Sequence, residues 1–308
     1  MPLMKRFLLW CSRNRWMAGR FPRFPFVRKA VKRFMPGETL DAALAEAVKL
    51  KEQRIGTVLT FLGENIKDLP EADLVRDHYL GALQKIARQK LPSEISVKLT
   101  QLGLDIASER ALEHVRELAK AAKASSSFVW IDMEGSAYVD ATLALYRQVR
   151  PKFDNVGLCL QAYLYRTEKD LQSLLPLVPS IRLVKGAYRE SRSIAMPRKS
   201  DVDRNYLALA RKLIDAMPQR ARRVVLGTHD LTILEAVKEY VERKRMPRES
   251  FEIHMLYGIK QEAQRKLAGE GYRLRTLISY GTAWFPWYMR RLAERPANVW
   301  FMVRGLFG

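Results

Sequence analysis

Ile-Arg-Leu-Val-Lys-Gly, residues 181–186, is a short run of branched apolar residues that closes on a lysine and a glycine. A stretch of helical pattern follows it, and the same alternation recurs along the chain. Comparable runs stand at Gly56–Leu62, Glu94–Thr100, Phe128–Glu134, Val156–Tyr163, Arg223–Thr228, Phe251–Leu256 and Arg273–Ser279. Each ends in polar residues or glycine and leads into about 15 to 35 residues of helical periodicity. Strands that alternate with helices imply parallel β/α units. Eight of them across about 240 residues are the count and length of an α/β barrel of the (β/α)8 TIM type. An open doubly wound sheet is the competing architecture, but Gly56–Gly63 lacks the G-x-G-x-x-G that would follow its first strand.

Working outward, Gly37-Glu38-Thr39 opens a helix over Leu40–Gln53, and no internal repeat, low-complexity tract or linker interrupts residues 37–308. The expected organisation is one barrel domain, 37–308, carrying a basic N-terminal helical extension, 1–36. In a barrel of this type the active site lies at the C-terminal ends of the strands. Here those ends are Gly63-Glu64, Lys98, Asp132 and Glu134, Gln161, Arg182 with Lys185-Gly186, Thr228-His229-Asp230 and Leu256-Tyr257-Gly258. Barrel interiors are normally filled by branched apolar side chains, so Lys98 between Val97 and Leu99, and Lys185 after Leu183-Val184, are costly there without partners. One such lysine is compatible with a structural ion pair. A ring of polar strand ends points to a site for an anionic, polar ligand.

A last helix is expected within Tyr280–Pro296, with Thr282 as a capping residue and Pro286 in its first turn. Trp284, Trp287, Arg291 and Glu294 recur at spacings of three or four and share a face, flanked by Tyr288 and Arg290. Two adjacent guanidiniums can clamp a carboxylate through directed hydrogen bonds; the simpler reading is a solvated pair.

Composition bounds the compartment and the partners. The 308 residues are 48% hydrophobic and 28% charged, as in a globular protein. Two cysteines, Cys11 and Cys159, exclude a disulfide framework, and with four histidines there is no zinc-spaced Cys/His set, so no metal is expected. A reducing, cytoplasmic compartment fits. The net charge of +21 is unevenly spread: residues 1–35 hold ten Lys/Arg and no acid, interleaved with Phe7, Leu8, Leu9, Trp10, Trp16, Met17, Phe21, Phe24, Phe26 and Phe34. That pairing predicts a segment lying in a membrane interface, at the inner face of the cell membrane. No apolar run approaches the ~20 residues needed to span, and Phe7–Cys11 is too short for a secretory signal. A solvated tail and nucleic acid are the other readings of the charge, the second disfavoured because no recognition motif accompanies it.

Taken in order, these pieces resemble the proline dehydrogenase family, the flavin-dependent barrel also found as the first catalytic domain of proline utilisation A. The matching motifs are G-E-T-L-D-A-A-L at 37–44, L-G-E at 62–64, S-V-K-L at 96–99, I-D-M-E at 131–134, Q-A-Y at 161–163, R-L-V-K-G-A-Y at 182–188, T-H-D at 228–230, M-L-Y-G at 255–258 and R-R-L-A-E at 290–294. The resemblance implies an FAD enzyme that oxidises L-proline to Δ1-pyrroline-5-carboxylate by hydride transfer to flavin N5, passing electrons to a quinone. It further implies that Lys98, Arg290 and Arg291 bind the substrate carboxylate, that Glu64 pairs with Arg290, and that Asp132, Leu256, Leu277 and Trp287 line the same pocket. Gln161, Arg182, Lys185, Gly186, Ala187, Tyr188, Thr228, His229 and Glu294 are implied as FAD contacts. The chain departs from the family pattern at Thr60, Leu277, Trp287 and His254, where aspartate, tyrosine, tyrosine and glutamine are usual. The tyrosines pack around the proline ring, so a reshaped ring side is expected, with another cyclic or N-substituted secondary amino acid as an alternative substrate. Two readings from other classes remain: a lyase using Lys98 or Lys185 as a Schiff-base amine, and a lapsed barrel whose arm binds membrane or nucleic acid.

Overall fold

In a computed structural model of the chain, the structure describes residues 31–63, 66–217, 219, 221–285 and 288–289. Eight parallel strands close in sequence order, β1 to β8, with β8 returning to β1. They are β1 Gly56–Phe61, β2 Ser93–Val97, β3 Val129–Ile131, β4 Val156–Gln161, β5 Ser180–Val184, β6 Arg223–Gly227, β7 Glu252–Leu256 and β8 Leu274–Tyr280. The helices that cover them are α1 Leu40–Glu52, α2 Leu69–Arg88, α3 Ser108–Ala124, α4 Val139–Val149, α5 Thr167–Leu174, α6 Lys199–Asp215, α7 Leu231–Arg243 and α8 Gln261–Gly269. The expected (β/α)8 barrel is what forms.

Strand alternation sorts the residues. On β5, Ile181 and Leu183 point outward into the main apolar cluster, while Ser180 and Arg182 belong to the inner face. Leu59, Ile95, Val97, Leu158, Leu160, Leu226, Ile253 and Ile278 repeat that outward set around the barrel. Against them lie helix faces such as Ala111, Val115, Leu118, Ala119 and Ala122 of α3, at the three-and-four spacing of one helical stripe. Each buried Leu, Ile or Val there is worth about 1.5–3 kcal/mol, which makes the shell between sheet and helices the main apolar core. Thr39 caps α1 by accepting from the Ala42 amide at 3.2 Å, and Asp68 caps α2 through the Glu71 amide at 3.0 Å.

Several strands stop short of their sequence-based ends. β2 ends at Val97, β3 at Ile131 and β5 at Val184, before Lys98, Asp132 and Lys185. The residues that break the apolar run are the ones that leave the ladder, so they stand at the rim. Residues 31–36, counted with the arm in the sequence, pack here: Val31 and Met35 are buried, and Phe34 meets the Tyr288 ring at 6.0 Å. Of the last helix, Trp284, Phe285, Tyr288 and Met289 are described, helical and buried. Its helical run starts at Trp284, so Ala283 separates it from Thr282. Trp284 Nε1 donates to Glu38 Oε1 at 2.8 Å, tying the helix to the start of the domain. Among the described residues no helix is long and apolar enough to cross a membrane, and no cluster of His, Cys, Asp and Glu could hold a metal ion.

Candidate active site at the C-terminal mouth of the barrel

The inner wall carries charge at both ends. At the N-terminal end, Glu94 of β2 receives Arg223 Nη1 of β6 and Arg275 Nε of β8, each at 3.0 Å, and the Trp130 indole N–H at 2.6 Å. Arg223 also forks onto Glu252 of β7 at 2.8 and 2.6 Å. Burial works to raise the Glu94 carboxyl, but Arg275 and Arg223 outweigh it and hold the group below the usual carboxylate range. The set is self-neutralising, two arginines with two glutamates, and plugs the barrel floor. Above it Trp130 spans the interior, with Arg223 and Arg182 each 5.2 Å from the ring centre and the His254 ring edge-on at 5.5 Å. Burial, then Arg182, Arg223 and Arg275, push His254 well below its ordinary value, so the ring is neutral.

At the C-terminal end β2, β3, β4 and β5 bring Lys98, Asp132, Gln161 and Arg182 together. Arg182 Nη2 donates to Asp132 Oδ1 and to Ser96 Oγ at 2.7 Å; the Ser96 hydroxyl donates to the same Oδ1 at 2.9 Å. Lys98 Nζ lies 3.9 Å from Asp132 Oδ2. A planar guanidinium pinned on one edge presents its other edge in a fixed direction, and Arg182 Nη1 is buried with no hydrogen-bond partner. Gln161 repeats the pattern: its Nε2 donates to the Met133 carbonyl at 3.2 Å, while its Oε1 is buried and unpaired. Burial without a partner costs about 1–3 kcal/mol for each such group. Each fits a bound polar ligand, one that offers an acceptor to the arginine or a donor to the glutamine. Glu134 turns away, accepting the Thr100 amide at 3.1 Å and its hydroxyl at 2.8 Å; burial raises its carboxyl above the ordinary value.

Of the remaining candidates, all the described ones but Leu277 stand at or just beyond the strand ends. Lys185 Nζ reaches Asp203 Oδ1 of α6 at 2.5 Å and Asp230 Oδ2 at 2.8 Å, and Lys199 bridges the same two acids. Burial works to raise Asp230, but its bond to Lys185 leads the effects that keep it lowered. Gly186 has φ +111, and a Cβ there would lie 2.1 Å from Tyr163 Cδ1, so the aromatic ring beneath it demands glycine. Ala187 is exposed and Tyr188 partly buried. Thr228 Oγ1 accepts the Asp230 amide at 3.1 Å. His229 Nε2 accepts the Leu256 amide at 2.7 Å, which puts the proton of the neutral ring on Nδ1. Leu277 packs inside the barrel against Val58, Phe128, Trp130 and Val225. Glu64, Trp287, Arg290, Arg291, Glu294 and the arm through residue 30 lie outside the described residues.

Sequence reasoning missed the floor network, Ser96 as the third partner of Asp132 and Arg182, and Asp203. The floor left a signal: Glu94, Arg223, Glu252 and Arg275 are charges near the starts of strands, two of each sign. Asp203 left a weaker one, four residues after Lys199 on a helix.

The comparisons with known proteins agree with this architecture. The sequence model of the family described as proline dehydrogenase matches residues 43–304. Proline dehydrogenase 1 of Bacillus subtilis strain 168 is 37% identical over 304 residues, covering 99% of each chain. Proline dehydrogenase of Deinococcus radiodurans is 34% identical over 280 residues, 89% of each chain. Among solved structures, proline utilization A from Bdellovibrio bacteriovorus, inactivated by N-propargylglycine, superposes with a TM-score of 0.81 at 23% identity. The match covers 87% of this chain and 33% of that one, so the chain spans about a third of the longer protein and the likeness there is one of fold.

Proposed function

The chain belongs to the proline dehydrogenase family and is an oxidoreductase, and from that premise we propose that it oxidises L-proline to Δ1-pyrroline-5-carboxylate with FAD as its cofactor. The observation that carries this reading is the pair of buried, half-satisfied groups at the barrel mouth, Arg182 and Gln161, beside the charged pair Lys98 and Asp132. Their donor and acceptor set fits the polar edge of a flavin. Bound there, FAD would supply the hydride acceptor, its N5. Arg182, fixed by Asp132 and Ser96, would hold the bound flavin and supply a positive charge that favours its reduced, anionic form. Lys98, with Arg290 and Arg291, would bind the substrate carboxylate and orient the ring carbon next to nitrogen. Glu64 would pair with Arg290. No protein base is required if the amine is taken up neutral, and desolvation in the mouth favours that form. Lys185, Gly186, Ala187, Tyr188, Thr228, His229 and Glu294 would complete the cofactor cradle, Leu256, Leu277 and Trp287 the substrate pocket.

We assign the electrons to a quinone and residues 1–35 to peripheral contact with an anionic membrane surface, because ten cations interleaved with aromatic residues suit that interface. The test of the reaction is product formation. With proline and a soluble dye as acceptor, purified protein should yield a cyclic imine trapped by o-aminobenzaldehyde; no trapped product from flavin-loaded protein would refute the assignment.

A further inference from the structure

The loop from β5 to α6, residues 185–198, is held against the barrel mouth at three places. At its start the Lys185 carbonyl accepts the Tyr163 amide at 2.8 Å, and Gly186 rides on the Tyr163 ring. On its return Leu164 and Ala195 form an antiparallel bridge. The Ile194 carbonyl accepts the Tyr165 amide at 3.1 Å, and the Met196 amide donates to the Tyr163 carbonyl at 2.8 Å. Between these points the loop has a side-chain anchor. Glu190 Oε1 accepts the Ser136 amide at 2.7 Å and Oε2 accepts the Ser136 hydroxyl at 2.6 Å.

Ser136 opens the turn Ser136–Tyr138 that leads directly into α4, and Gly135 before it offers no side chain to cap that start. Glu190 supplies the missing acceptor from another loop, with a negative charge where a helix start favours one. A carboxylate taking two directed bonds from one residue is a stronger and more specific link than a surface ion pair. The two loops it joins are the ones that matter at the mouth: the β3 loop bears Asp132 and Glu134, the β5 loop Gly186, Ala187 and Tyr188.

We propose that Glu190 is a positioning residue for the substrate pocket. Through Ser136 it ties the loop bearing Asp132 to the β5 loop, which backbone bonds to Tyr163 fix independently, so that Asp132 keeps its place in the substrate pocket. The proposal rests on proline oxidation at this mouth. A purely structural staple would lower folding stability and flavin content together; a positioning clasp acts on substrate affinity.

The experiment uses the full-length, flavin-loaded protein as Glu190→Ala, Glu190→Gln, Ser136→Ala and the Glu190→Ala/Ser136→Ala double variant. Loss of a charge-assisted bond corresponds to about tenfold. Glu190→Ala should therefore raise KM for proline by about that factor with kcat changed less than about twofold. Glu190→Gln keeps one acceptor and should recover part of the affinity. The double variant should be no worse than Glu190→Ala, because both changes break the same link. Arg189 and Arg192 flank Glu190 and are exposed, so trypsin should cut there faster in Glu190→Ala than in the parent. Parental KM in Glu190→Ala would overturn the proposal, as would a loss shared by KM, kcat, flavin content and Tm. If the parent protein fails to oxidise proline, the functional reading has failed, and trypsin alone judges the clasp: unchanged cleavage overturns it.

Discussion

Leu277 stands on the inner face of β8 among Val58, Phe128, Trp130 and Val225, so that part of the barrel lining is apolar, as would be the ring side of the proposed pocket. In the proposed pocket Trp287 would add a donor-only indole in place of the tyrosine that the family resemblance implies. A site that has lost hydroxyl partners gains little from a hydroxylated ring, and a buried hydroxyl without a partner costs about 1–3 kcal/mol. Proline should accordingly be oxidised moderately and 4-hydroxyproline worse. The Leu277→Tyr/Trp287→Tyr variant should raise kcat/KM for proline, and an unchanged value would remove these positions from substrate choice. His254 makes a prediction in pH. Its folded value lies well below that of the unfolded chain, near 6.5. As pH falls below about 6.5 the unfolded chain takes up a proton that the folded ring, facing Arg182, Arg223 and Arg275, refuses. Stability is thus full above that pH and falls by about 1.4 kcal/mol per unit below it, until the folded group titrates. Denaturant melts at pH 7 and 5.5 should show His254→Gln losing less stability than the parent across that interval. At this scale the charged strand ends were legible in the sequence, because Lys98, Asp132, Arg182 and Lys185 interrupt or end apolar runs. The sequence hid the floor network, since a charge at a strand start is the usual mark of a solvated end. Only closure of the barrel brings Glu94, Arg223, Glu252 and Arg275 into one interior.

The elements themselves were legible wherever period and length agreed. β1, β4, β6, β7 and β8 lie within one or two residues of their sequence-based limits. β2 and β3 are shorter because Lys98 and Asp132 leave the ladder to reach the mouth. The N-terminal boundary was less legible. Val31, Phe34 and Met35 look like more of the basic, aromatic arm, yet Val31 and Met35 are buried and Phe34 meets Tyr288 of the last helix. Gly258 is packed beneath the same segment: a Cβ there would lie 1.7 Å from the Arg33 carbonyl oxygen. Charge pattern cannot reveal this packing, because it depends on a helix more than 250 residues away. Removing residues 1–30 should leave Tm near the parental value, whereas removing 1–36 should lower it by several degrees through loss of these buried side chains. Equal melting of the two truncated proteins would show that the segment contributes nothing to the fold.

For the whole molecule, eight repeated β/α units made the barrel the best-specified inference, since each unit states its own period and their number states closure. Function was legible only through the collected strand ends, and the arm's partner rests on composition. Each Lys or Arg near an anionic surface is worth about 1 kcal/mol, attenuated by salt. The protein lacking residues 1–30 should therefore lose most of the low-salt binding to anionic vesicles that the full chain shows; equal binding would count against a membrane role. In the proposed function the charged mouth around Arg182 and Gln161 holds a flavin that proline reduces. An anaerobic visible spectrum, taken before and after adding proline, tests it most directly. The purified or FAD-supplemented protein should show the yellow absorbance of oxidised flavin, bleached by proline and restored by a quinone. Protein that stays colourless and takes up no added FAD, or a bound flavin that proline leaves oxidised, would contradict it.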